Sequence, residues 1–370
     1  MHEHKHNQCR RKVKHRKNVM KLIIFCITVG ISLMFIYYQN LRKEINARQK
    51  WLETVLTGEK KWILENQGPE GEFYMNGSKA GDVNPYFACM AALGLLAETK
   101  NCPITETEKK AVGRYLDWHT GILLETDGKM GIYRKESGKL IYKEKADSED
   151  GYLGMYLFLM GKYLEKTEST DLPESWKNGI SLALKKIQSL MQDGITQVSE
   201  ENTTVYLMDN LEVWKGLYEL EHAGLKDVQA IREMRNKLQA QIEKLFWDDA
   251  NQRWRIIENS NLYHQKEFYP DGVAQIYPLI YEFPVKEKKK QKILYKQFTE
   301  RFQWQKLTKK RNGFLWAMTG MAAAQMGDIN NLLEMIRNYE AEYCENRKYP
   351  LYTGEAGWIC MECEKLYSLY

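Results

Sequence analysis

Two kinds of helical segment alternate six times along this chain, and that alternation limits the fold more than any other feature. One kind is amphipathic and charged, at 46–66, 105–121, 172–192, 226–246, 287–302 and 328–342. The other is almost wholly apolar and rich in small residues, at 84–98, 149–163, 208–222, 271–283, 313–326 and 355–369. A helix apolar all round must be buried, and an amphipathic one covers it. Six outer-then-inner pairs predict an all-α, (α/α)6 toroid of six helical hairpins over 46–370, although the hairpin sequences barely match one another. A superhelical solenoid with open ends is the alternative. Alternating residues with Asp-Gly and Ser-Gly turn signals predict one small β insertion at 122–145.

The N-terminus has a different character. Residues 1–18 are polar and basic, and Leu22–Tyr38 is a run of 17 residues without a charge. At 1.5 Å per residue that run spans roughly 25 Å, the short end for a membrane helix, and Met20 and Lys21 extend it. No small-x-small cleavage site follows it. The expectation is a basic cytoplasmic tail (1–18), a single transmembrane signal-anchor (19–38), a linker (39–45) and an extracellular domain. The seven Lys/Arg of residues 1–18 hold that end in the cytoplasm.

Charge follows the same division. The chain carries 54 Lys/Arg and 49 Asp/Glu. Eight of those bases and one acid, Glu3, lie in residues 1–40, so the remainder is slightly acidic at 46 against 48. No nucleic-acid partner is expected for such a body. The 10 Trp and 23 Tyr suit a helical core or a groove that stacks sugar rings. Cys360 and Cys363 have CxxC spacing without a second pair, so no metal is expected.

The acids concentrate where inner helices begin: Asp82; Asp147, Glu149 and Asp150; Asp209 and Glu212; Asp271; and Glu355. In a toroid the inner helices run in one direction, so these carboxylates converge on one face. Any single one is accounted for by helix capping and the helix dipole. The set is accompanied by aromatics about a turn on, Tyr86, Tyr152, Trp214, Tyr277, Trp316 and Trp358. Paired carboxylates beside stacking aromatics are what glycoside hydrolysis requires. No HExxH, GxSxG or glycine-rich phosphate loop occurs, and no cofactor is expected.

At these residues the chain resembles the six-hairpin glycosidases, and specifically glycoside hydrolase family 8. Gly81-Asp82-Val83-Asn84-Pro85-Tyr86 is similar to the family's Ser-Glu-Gly-Gln-Ser-Tyr, Ala146-Asp147-Ser148-Glu149-Asp150 to its Asp-rich second motif, and Asp271-Gly272-Val273-Ala274 to its Asp-Ala-x-Arg run. The resemblance implies Asp82 as general acid, Asp271 as base, Asp147 gripping the sugar, and inversion. It departs in having Asp where the family has Glu at the acid, and no arginine after the base. Tyr86, Asp150, Asp209, Glu212, Trp214, Tyr277, Trp316 and Glu355 are the expected substrate-binding residues. The expected function is a membrane-anchored extracellular glycoside hydrolase acting on a cell-surface or secreted polysaccharide, alongside a polysaccharide synthase or export complex. A non-catalytic glycan-binding scaffold and a polysaccharide lyase are the alternatives.

Overall fold

The computed structural model describes residues 2–77, 81–136, 139–169, 171–260, 262–264, 266–307 and 313–370, with the side chains of 2–19, 22–24 and 26 outside that description. The chain divides into two compact units, Met1–Trp51 with Tyr370, and Leu52–Leu369. Helix α1 (His2–Glu65) supplies the first unit and, from Leu52, the first outer helix of the second. The expected membrane anchor falls partly on residues whose side chains are outside the description. Among the described residues no helix is long and apolar enough to cross a membrane. Phe25, Ile31, Leu33, Met34, Phe35 and Tyr37 are exposed along α1.

The second unit keeps the outer–inner alternation. Its further outer helices are α3 (Glu106–Glu125), α5 (Glu174–Leu190), α7 (Gln229–Phe246), α9 (Lys288–Phe302) and α11 (Ile329–Tyr339). The inner ones are α2 (Pro85–Leu95), α4 (Glu149–Thr167), α6 (Leu207–His222), α8 (Tyr277–Ile280), α10 (Thr319–Met326) and α12 (Thr353–Ser368). Burial follows the pattern: Tyr152 through Leu159 are buried on α4, whereas α7 buries only Ile231, Leu238, Ile242 and Phe246. The ring closes because α12 packs on α2. There Gly94 and Gly357 meet backbone to backbone, and a Cβ on Gly94 would lie 2.4 Å from the Gly357 Cα. Only glycine permits that approach, so first and last inner helices are neighbours and the open solenoid is excluded.

Two inner helices differ from expectation. The fourth, expected over 271–283, is a π-turn (Phe268–Gly272) and then the four-residue α8. Pro278 sits in the first turn of α8, where its missing N–H costs nothing. The fifth, expected from 313, begins only at Thr319. The N–H groups of Leu315, Trp316 and Ala317 point to the Glu355 carboxylate, and Trp316 has φ +60°, which no α-helix accommodates.

The β insertion is a three-stranded antiparallel sheet. β1 (Asp82–Val83) pairs with β2 (Gly131–Glu136), which pairs with β3 (Lys139–Lys145). Asp82 lies opposite Arg134 in this register.

Candidate active site

A cavity of about 250 Å³ opens where the inner helices begin, and all six inner segments line it. The first contributes Asn84, Tyr86, Phe87 and Met90; the second Asp147, Ser148, Gly151 and Tyr152; the third Met208, Asp209 and Glu212. The fourth contributes Tyr269 and Tyr277, the fifth Phe314, Trp316 and Met318, and the sixth Glu355 and Trp358. Two caps fix the entry of the first two helices. Asn84 Oδ1 accepts the Tyr86 N–H at 2.9 Å, and Ser148 Oγ accepts the Gly151 N–H at 3.1 Å.

Three carboxylates descend into the cavity. Asp147 is exposed at the mouth, Asp209 is half-buried, and Glu212 is buried. Asp209 and Glu212 stand three apart in the first turns of α6 and so share one helix face. Burial, reinforced by the charges of Asp150 and Glu212, pushes the Asp209 carboxyl well above the ordinary aspartate range, against the influence of the nearby Ser148 hydroxyl. Glu212 forms the floor. Its Oε1 accepts from the hydroxyls of Tyr86, Tyr277 (2.5 Å) and Tyr281 (3.3 Å). Burial raises it to about 7, with the Tyr277 and Tyr86 donors opposing the shift. Gly151 leaves room for it, since a Cβ there would sit 2.7 Å from Glu212 Oε2.

Asp150 lies behind this row, fully buried and outside the cavity lining. Its oxygens accept from Ser148 Oγ (2.8 Å), the Gly151 N–H (3.0 Å) and Thr196 Oγ1 (2.7 Å). Burial still raises it to about 6. Two neighbouring carboxyls that are both raised resist ionising together, which favours a proton on Asp209.

Glu355 has a different task. Its carboxylate accepts three consecutive backbone N–H groups, from Leu315 (3.1 Å), Trp316 (3.0 Å) and Ala317 (2.8 Å). Burial lifts it to about 7 in spite of them. The turn so held carries two cavity aromatics. Trp316 lies 4.7 Å from Tyr269, and Phe314 stacks on Phe87 at 5.3 Å.

Several expected site residues lie elsewhere. Asp82 is outside the cavity lining. It is paired with Arg134 (2.7 Å) and Lys143 (2.8 Å) on the β insertion, and the Arg134 hydrogen bond leads in holding its carboxyl below the usual range. That is the reverse of what a proton donor needs. Asp271 is also outside the lining, 2% exposed, and its Oδ1 accepts the His264 N–H at 2.7 Å. Trp214 is core, packed on Tyr218 and Phe283, with its indole N–H on Gln239. Asp147, Asp209, Glu212, Tyr86, Tyr277, Trp316 and Glu355 do line the cavity. Sequence reasoning missed Tyr269, Phe314 and Tyr281. Tyr281 stands four residues after Tyr277, a spacing that signals a shared helix face; the other two lie in irregular backbone, where no periodicity points. Among the described residues no group of His, Cys, Asp or Glu is arranged to hold a metal, and Cys360 and Cys363 are buried free thiols.

No family model matches this chain, and no curated protein matches it. Solved structures do. A glycosidase aligns over 88% of this chain and 98% of its own, with TM-score 0.62 and 12% identity. An inactive variant of an alpha-1,6-mannanase from Salegentibacter sp., in complex with alpha-1,6-mannotetrose, aligns over 86% and 99%, with TM-score 0.55 and 10% identity. A D-mannose isomerase aligns over 87% and 98%, with TM-score 0.55 and 12% identity. These likenesses establish the helical fold that such sugar-acting proteins use. The family 8 likeness remains one of short motifs.

Proposed function

We propose that this chain is a glycoside hydrolase in which Asp209 donates the proton to the leaving glycosidic oxygen. The observation that carries the reading is a half-buried carboxyl, pushed above the ordinary aspartate range by its surroundings, beside a second cavity carboxyl, Asp147, in a chamber walled by aromatic rings. A general acid must keep its proton at working pH, and burial with like-charged neighbours is how a carboxyl does so. Asp147 takes the second role, activating water for an inverting displacement, which requires a carboxyl separation of roughly 6.5–9.5 Å. Glu212 and its tyrosines grip sugar hydroxyls, and Trp316 and Tyr269 stack on a ring face. The sugar-acting neighbours support the choice of substrate class.

We further propose that the enzyme works at the outer face of a membrane, anchored by 19–38, with a cell-surface or secreted glycan as substrate and a synthase or export complex as its company. The basic flank and the exposed apolar side chains from Phe25 to Tyr37 support this placement. The test is reducing-end release by the full-length protein and by Asp209→Asn on neutral glucans and mannans, with the product anomer read by NMR. Release lost in the variant, with the inverted anomer formed first by the wild type, is the expected result. Equal release by both proteins removes Asp209 from the mechanism. Ketose formation without bond cleavage would replace hydrolysis by isomerisation.

A further inference from the structure

Which part of a glycan the cavity takes is set by its floor and by its charge. The floor is a cross-barrel contact. Tyr86 from α2, Glu212 from α6 and Tyr277 from α8 meet at the Glu212 carboxylate, and the Tyr86 and Tyr277 hydroxyls stand 3.4 Å apart. Tyr281 joins them at Glu212 and also contacts Met155 Sδ at 3.7 Å and the Trp358 ring at 6.1 Å. Glu212 and Tyr277 are at most 4% exposed and Tyr281 is fully buried, so this contact closes the barrel axis.

Beyond it, towards the C-terminal ends of the inner helices, lies a separate cavity of about 290 Å³, lined by ion-paired side chains and divided from the first by Trp358, which borders both. Lys215 is buried and pairs with Glu219 (2.7 Å) and Glu282 (2.8 Å). Lys365 reaches Glu282 at 2.6 Å, and Lys166 reaches Glu98 at 2.7 Å. Burial alone would raise Glu282, but Lys215 and Lys365 outweigh it and hold the group at about 2. These bases are paired with acids and line that second cavity, not the first. The first cavity itself has four carboxylates, Asp147, Asp209, Glu212 and Glu355, and no Lys, Arg or His among its described lining residues.

Resting on the hydrolase reading above, we infer that the cavity is a blind pocket that receives the terminal, uncharged unit of a glycan, so that the enzyme trims chain ends. A pocket of about 250 Å³ lies just below the roughly 300–1,000 Å³ typical of a drug-sized ligand. The acids fit one bond at one level: the end unit rests on Glu212, its anomeric carbon lies between Asp209 on the side of the leaving oxygen and Asp147 on the opposite face, and the next unit sits at the mouth with Tyr269. Tyr269 is 39% exposed, as a rim residue should be. A carboxylate on the end unit would lose its hydration among other carboxyl groups with no base to neutralise it, which disfavours uronate ends.

The test uses full-length Asp209→Asn as a binder and the wild type as a catalyst. Tryptophan fluorescence is titrated with glucose- and mannose-based oligosaccharides of one to six units, and with glucuronic acid. The expected result is an affinity that stops improving after the second or third unit, and at least tenfold weaker binding of glucuronic acid than of the better neutral monosaccharide. Wild-type digests of the matching polymer should release one short product from the first time point. Affinity that climbs steadily to six units, or an early ladder of mixed lengths with falling viscosity, overturns the chain-end inference and leaves the hydrolase reading intact. Glucuronic acid binding as well as the neutral sugars overturns the charge argument. Binding of none of these sugars removes both the inference and the hydrolase reading.

Discussion

The two sides of the cavity are built differently. On one side α4 and α6 are long, regular and buried; α6 carries Asp209 and Glu212, and the bend just before the Ser148 cap of α4 carries Asp147. On the other, the fourth and fifth inner helices are broken, and irregular backbone delivers Tyr269, Phe314 and Trp316. Proton transfer tolerates little positional error, so its groups belong on rigid helices. Stacking on a ring face tolerates more, so its groups can ride on a turn. That turn is still fixed, but by one side chain, Glu355, instead of a helical ladder. The difference separates where turnover should be lost from where affinity should be lost.

The largest effect should come from the helical side. Asp209→Asn keeps the shape and removes the donated proton. Steady-state kinetics should show kcat reduced about 10²- to 10⁴-fold, the usual range for a general acid, with KM little changed. A loss confined to KM would break the division just drawn.

Stability tests the anchor of the other side. Glu355→Ala leaves three N–H groups without their acceptor, and each buried orphan costs about 1–3 kcal/mol before water or relaxation recovers part. A loss of about 2–5 kcal/mol in urea unfolding is expected. The same carboxyl has a pH signature. Glu355 and Glu212 are raised to about 7 and Asp150 to about 6. All three lie above their unfolded values, so between about pH 4.5 and 7 the folded state binds more protons and stability falls as pH rises. Glu282, held at about 2, acts oppositely: its contribution is present above about pH 4.5 and is lost as pH falls towards 2. Stability should therefore peak near about pH 4, where the two trends cross, and Glu355→Gln should flatten the decline towards pH 7. An unchanged slope in that variant would show that Glu355 does not titrate there.

Affinity should be lost on the irregular side. Trp316→Ala removes the ring beside Tyr269 and leaves Asp147, Asp209 and Glu212 in place. KM should rise about three- to tenfold, the worth of one aromatic contact, with kcat within about twofold. A drop in kcat matching Asp209→Asn would mean that the turn also positions the scissile bond.

The sequence revealed these two sides unequally, for a physical reason. The ring of six hairpins and the row Asp147, Asp209 and Glu212 were legible because regular helices have a period, and first-turn acids stand at countable offsets from it. Asp150 was seen, but its position behind the row was not, because the same offset serves a cap and a cavity residue. The broken fourth and fifth helices hid Tyr269 and Phe314. The break of the fifth is held by a hydrogen bond from Trp316 to a glutamate 39 residues later, which no local pattern encodes. Asp82 misled for the converse reason. Its offset before α2 matched a catalytic acid, while its partners Arg134 and Lys143 come from a hairpin about 50 residues on.

Asp82 also gives the smallest expected effect. It lies outside the cavity, and its two partners are on the solvent-exposed β insertion. Ion pairs of that kind contribute about 0–1 kcal/mol, because water screens them and long side chains lose freedom in forming them. Asp82→Asn should leave kcat within about threefold and shift unfolding by at most about 1 kcal/mol. Arg134→Ala should do the same, since it removes the other half of the same contact. If Asp82→Asn abolishes turnover while Arg134→Ala does not, the carboxyl itself takes part in the chemistry. The β insertion must then fold over the cavity during catalysis, and proton donation would move from the helical side to the sheet.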